Sequence, residues 1–157
     1  MLLPFLLSAV LVSSTGTIKG SIAPPEKVKI TKPVQVVVFS GDYVNVYLAE
    51  VQKRVDNYWE EFRRLFIEDK EAFLHFRERA QVQALEFTLN RMRFDDPENI
   101  ARFVHTTTNN SFEFHSVPQG ECKVVALVTI GGEDFVWSDS VILRNETPAF
   151  VLLKPNP

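Results

Sequence analysis

The apolar positions of this chain change their spacing twice. Between Thr17 and Phe39 they alternate: Ile18, Gly20 and Ile22 share one face of TIKGSI, and after a link at Pro24 and Pro25 the run PVQVVVF is rich in β-branched residues. Both stretches read as strands. From Tyr43 to Asp96 neither Gly nor Pro occurs and strong helix formers dominate, which predicts helix. Alternation returns from Phe103 in FVHTTT, SFEFHSV, ECKVVALVTI, DFVWSDSVIL and AFVLL, separated by turn residues such as Gly131-Gly132 and Asn145-Glu146. The prediction is a mainly β fold with a helical segment, about residues 43–96, inserted after the second strand.

The geometry of that insertion follows from its length. Val44, Leu48, Val51, Val55, Tyr58, Phe62 and Leu65 recur at spacings of four and three, a heptad seam. The phase then slips across residues 67–70, and a second apolar face runs through Phe73, Phe76, Ala80, Ala84 and Phe87. One unbroken helix over the segment would be roughly 70 Å long. The stretch from Arg93 to Arg102 spans at most about 35 Å fully extended, too little to bring the chain back. The segment therefore folds into two antiparallel helices, with the turn expected at 67–70 and a short third helix opening at Asp96-Pro97-Glu98. The hairpin carries Trp59, Phe62, Phe66, Phe73 and Phe76 besides Tyr58 and Phe87. These rings either pack between the helices and onto the sheet, or leave a stripe exposed for a protein partner or a second copy.

Composition narrows the setting. At 157 residues the chain is sized for one domain with one sizeable core. A formal charge of -3, well mixed in sign, gives no electrostatic footprint for nucleic acid. Residues 2–12 are apolar, too short a run for a bilayer span but suited to a signal peptide, and small polar residues follow at 13–16. We expect a signal peptide over 1–15 and a mature domain over 16–157, secreted or periplasmic. An uncleaved membrane anchor or a buried first strand are the alternatives, since no Lys or Arg precedes the run. The single cysteine, Cys122, rules out an intramolecular disulfide, and its place in ECKVVAL reads as a small buried hydrophobe.

The run TTTNNSFEFHSVPQGECKVVAL, taken with TIKGSI and PVQVVVF, resembles the carboxypeptidase regulatory-like domains of the transthyretin-like (prealbumin-like) sandwich group. The matching positions are Gly20, Val36, Val38, Thr107, Thr108, Asn109, Asn110, Phe112, Phe114, the turn from Val117 through Pro118 to Gly120, and Val124. The closing VILRNETPAFVLL is similar to the group's last hairpin, so the resemblance covers the strands on both sides of the insertion. It implies a Greek-key sandwich of seven or eight strands, an accessory or binding module without catalytic residues. Cys122 stands where the group usually places an aromatic, and the insertion replaces a short loop. The resemblance thus assigns what is particular to this chain to residues 43–96, and deleting them is expected to leave a folded β domain.

Other chemistries find less support. The transthyretin-group hydrolase ends in Tyr-Arg-Gly-Ser, whereas this chain ends LLKPNP. A nucleophile and base would have to come from Cys122, His75, His105 and His115, none of which is spaced for a metal or a catalytic pair. We therefore expect no enzyme activity and no cofactor. Carbohydrate binding is the alternative, with Trp137 of DFVWSDS as the stacking ring if it is exposed.

Overall fold

Each alternating run forms a strand because one set of its side chains has a partner sheet to cover it. The computed structural model describes residues 14–144 and 148–155. In chain order these form β1 (Thr15–Ile22), β2 (Val34–Ser40), α1 (Asp42–Glu68), α2 (Lys70–Asp95), β3 (Val104–Thr107), β4 (Ser111–Pro118), β5 (Gly120–Ile130), β6 (Glu133–Leu143) and β7 (Ala149–Leu153). The strands make two sheets, ordered β4-β1-β7 and β3-β2-β5-β6, and every pairing is antiparallel except β1 with β7. Ile18, Phe112, Phe114 and Val151 of the first sheet meet Val36, Val38, Cys122, Val124 and Trp137 of the second in one buried core. In β4 the intervening Glu113 and His115 point to water, as strict alternation requires.

The four-stranded sheet is covered on its other face as well. Val37, Phe39, Val125 and Val136 form a second buried cluster with Val44 and Tyr47 of α1 and Ala84, Leu85, Leu89 and Met92 of α2. Tyr47 stacks on Phe39 with ring centroids 5.1 Å apart. The molecule therefore has three layers, two sheets and a helical hairpin. The base of the hairpin is thus part of a core, and deleting residues 43–96 would uncover a sheet face.

Asp69 alone makes the hairpin turn. Its backbone N–H donates to the carbonyl of Leu65 (2.8 Å), closing α1, while its carboxylate Oδ1 accepts from the N–H groups of Glu71 (3.0 Å) and Ala72 (3.2 Å), opening α2. One residue thus satisfies orphan groups of two helix ends. The return to the sheet differs from expectation. Asp96 ends α2, and the third helix is a single 3-10 turn over Ile100–Phe103 that begins after Asn99, whose amide Nδ2 donates to the Asp96 carboxylate (2.8 Å). The last expected hairpin is also revised: β6 and β7 lie in different sheets, so the chain crosses the sandwich between them, and the Asn145-Glu146 turn lies outside the described residues.

Gly20 shows why the first strand carries a glycine. It is paired with Phe112 on one side and Val151 on the other, and a Cβ there would lie 2.3 Å from Phe112 Cζ and 2.5 Å from the Val151 carbonyl oxygen. The ring could rotate away, but the backbone oxygen is held in the ladder. Gly20→Ala is expected to lower stability by about 1–3 kcal/mol through overpacking. An unchanged urea midpoint would show that the β1–β7 register yields more easily than this packing implies.

Candidate functional site

The two helices contain 27 and 26 residues, about 40 Å each at the usual rise. Only their bases touch the sheet cluster: beyond Val51 in α1 and Val82 in α2, neither helix contributes to it. Farther out, burial and the carboxylates of Glu133 and Asp134 raise the Glu78 carboxyl above its usual range, against a lowering by His75 and Arg77.

The distal hairpin has its own core, and it is aromatic. Phe66 lies at the centre, 3% exposed, with ring centroids 5.3 Å from Phe76, 5.4 Å from Phe73, 6.0 Å from Trp59 and 6.2 Å from Phe62. Phe76 also packs 5.0 Å from both Tyr58 and Phe62, and the Tyr58 hydroxyl donates to Gln83 Oε1 at 2.9 Å. All five aromatic candidates from the sequence are therefore brought together. Their main contacts are with one another: Phe62, Phe73 and Phe76 are half-buried, and Trp59 is the most open at 41%. Edge-on and offset contacts of this kind hold two helices together where no sheet supports them.

The apolar surface that remains open is different from the stripe the spacing predicted. Leu48, Leu65 and Phe87, assigned to the inside, are exposed, as are Ile67, Leu74 and Phe94. Tyr47 and Phe66 take the inner places one position away. Two local causes account for the shift. Tyr47 turns in to stack on Phe39, and α1 is kinked at Phe62, whose φ of -117° and ψ of 20° reset the helical phase beyond it.

A cleft of about 450 Å³ opens at the foot of the hairpin, between Asp42, Tyr43, Met92, Asp95, Ile100 and Phe103. The Tyr43 hydroxyl donates to Asp95 Oδ2 at 2.8 Å, and burial followed by that bond raises the phenol above its ordinary range.

The remaining candidates are scattered. Trp137 is 1% exposed, and its Nε1–H donates to the carbonyl of Ala23 at 3.1 Å, so the ring belongs to the core and no sugar can stack on it. This overturns its assignment as a carbohydrate platform: Trp137 does share a face with Phe135, but that face is the inner one. Cys122 is buried and free, and burial, with Glu121, pushes its thiol up to about 11. Its contacts are the carbonyls of Pro118 and Gly120. His115 is exposed and pairs with Glu113 at 3.0 Å, His105 lies edge-on to Phe114 at 6.2 Å, and His75 is exposed on α2. Among the described residues no three His, Cys, Asp or Glu groups are placed to hold a metal, and no helix is long and apolar enough to cross a membrane.

No protein-family model matches the chain, and neither a curated protein nor a solved structure shows significant similarity to it.

Proposed function

We propose that this chain is a non-enzymatic, extracytoplasmic module of the transthyretin-like, carboxypeptidase regulatory-like kind, working in protein association through the distal part of its helical hairpin. The observation that carries this reading is the distribution of open apolar side chains. Among the described residues, the exposed large hydrophobics are Ile142, Phe150 and Leu152 on strands, Leu48, Phe87 and Phe94 on the lower half of the hairpin, and Trp59, Leu65, Ile67 and Leu74 gathered on its distal part. Exposed apolar groups gathered on one projecting element suit a binding surface better than a solvated face. The family assignment is supported by what the motif residues do: Gly20 admits Phe112, Phe112 and Phe114 fill the core, and Pro118 to Gly120 turn β4 into β5. Export rests on the apolar run at residues 2–12, which lies outside the described residues. The carbohydrate alternative has lost Trp137 and keeps on the sandwich only Phe150, 78% exposed, as an open aromatic among the described residues.

The test is to replace residues 57–83 by a short Gly/Ser turn. This removes Phe62, Phe66, Phe73 and Phe76 and retains the base residues Val44, Tyr47, Leu85, Leu89 and Met92. The shortened protein is expected to unfold cooperatively, with the β signal of the full chain, while losing its association with other chains in sedimentation and crosslinking. Association equal to that of the full chain would place the binding surface elsewhere.

A further inference from the structure

The cleft at the foot of the hairpin lies where the helices join the sheet. Asp42 opens α1 directly after β2, Met92 and Asp95 belong to the end of α2, and Ile100 and Phe103 to the 3-10 turn that follows. Its volume of about 450 Å³ falls within the range of small-molecule sites, roughly 300–1,000 Å³. Val46, Met92, Ile100 and Phe103 give it an apolar lining, and the carboxylates of Asp42, Asp95 and Asp96 are set among them. The one basic residue of the lining, Arg91, forms no ion pair with any of the three.

Two of these carboxylates are fixed without being neutralised. Asp95 Oδ2 accepts from the Tyr43 hydroxyl and Asp96 Oδ2 from the Asn99 amide, both at 2.8 Å, and both donors are uncharged. Their place on the helix is adverse as well. Asp95 is the last residue of α2 and Asp96 its C-cap, beside the negative end of the macrodipole, where an acid is unfavourable and a cation favourable. A positive charge in the cleft would offset this repulsion. Among the described residues no three acidic, histidine or cysteine groups are placed to hold a metal ion, so the carboxylates do not converge on a point. That spread suits an extended cation with an apolar body. The rings of Tyr43 and Phe103 line the same cleft, and aromatic faces attract an ammonium group.

We propose that the cleft binds an organic amine of low molecular weight, its ammonium group among Asp42, Asp95 and Asp96 and its apolar body against Met92, Ile100 and Phe103. Charge decides the occupant. A neutral apolar ligand would cover carboxylates without pairing them, and an anion would be repelled. The site is separate from the association surface, because none of its lining residues belongs to the distal hairpin.

Benzylamine, protonated at neutral pH, is the probe, with benzyl alcohol and benzoate as neutral and anionic counterparts of similar size. Titration of the full chain followed by amide NMR is expected to show saturable shifts at Gly41, Tyr43 and Asn99 with benzylamine, and binding at least about tenfold weaker with the other two. Asp42→Asn/Asp95→Asn, which keeps an acceptor for Tyr43, is expected to weaken benzylamine by at least about tenfold. Glu60→Gln/Glu61→Gln, an equal loss of charge at exposed positions on the distal hairpin, is expected to leave it unchanged. No saturable shift at these amides overturns the proposal, as does equal binding of benzyl alcohol, which would make the cleft a plain apolar pocket. Equal weakening by both double variants would reduce the effect to net charge, and the same shifts with calcium chloride would make the carboxylates a metal site; either result overturns it too. If the aspartate variant does not fold, the three probes on the unaltered chain decide.

Discussion

Excision of residues 42–96, with Gly41 joined to Pro97 through a short Gly/Ser loop, is expected to give a chain that does not fold cooperatively. The helices start where β2 ends, and their bases close the outer face of the four-stranded sheet over Val37, Phe39, Val125 and Val136. Burial of a large apolar side chain is worth about 1.5–3 kcal/mol, so exposing these four forfeits about 6–12 kcal/mol. A domain has only about 5–15 kcal/mol in total. The replacement of residues 57–83 is the control, since it keeps the buried members of that cluster, losing only the half-buried Val82 at its margin, and removes the aromatic core above it. Thermal unfolding followed by circular dichroism separates the two. The excised chain should show no sharp transition and should bind a hydrophobic dye, whereas the control should melt cooperatively. A cooperative melt of the excised chain near that of the full one would show that the sandwich is self-sufficient and that the base only rests on it.

The third layer had a trace in the sequence that alternation alone does not use. In SFEFHSV the apolar residues alternate because β4 has one dry face, and its facing is legible from the pattern. In VQVVVF and KVVALV the apolar residues run together, with Val36 and Val38 turned to the inner core and Val37 to the helices, and Val124 and Ala126 separated from Val125 in the same way. Such continuous runs mark strands covered on both faces. The hairpin turn was legible because chain length forbids any other return, and the phase slip at 67–70 contains Asp69, the residue that caps both helices. What could not be read was set by contacts between distant elements. Trp59 and Phe66 stand two turns apart on one face of an ideal helix, yet one is 41% exposed and the other 3%. Their difference comes from the kink at Phe62 and from the rings that α2 presents. The pairing of β7 with β1 is likewise a contact between chain ends, for which local pattern carries no signal.

Trp137→Ala is expected to cost about 3–5 kcal/mol, the usual range for removing a buried aromatic whose cavity cannot fully collapse. The ring lies between the sheets in the core cluster that also holds Ile18, Val36, Ala126 and Leu143, on a strand held in register against β5. Its loss also strips the Ala23 carbonyl of the indole N–H, an unmade hydrogen bond that adds to the deficit. Phe150→Ala, at a ring that is 78% exposed, should change stability by no more than about 0.5 kcal/mol. Fluorescence gives an independent reading, because Trp59 and Trp137 are the two tryptophans of the chain. Removing Trp137 leaves emission from the partly exposed Trp59 alone, so the spectrum should shift to longer wavelength even under conditions where the variant remains folded. A variant with wild-type stability and an unshifted spectrum would mean that the indole reaches solvent, and would return Trp137 to consideration as a stacking surface. The opposite result ties the residue to the inner face of β6, where its conservative replacement by Phe should recover most of the packing without the bond to Ala23.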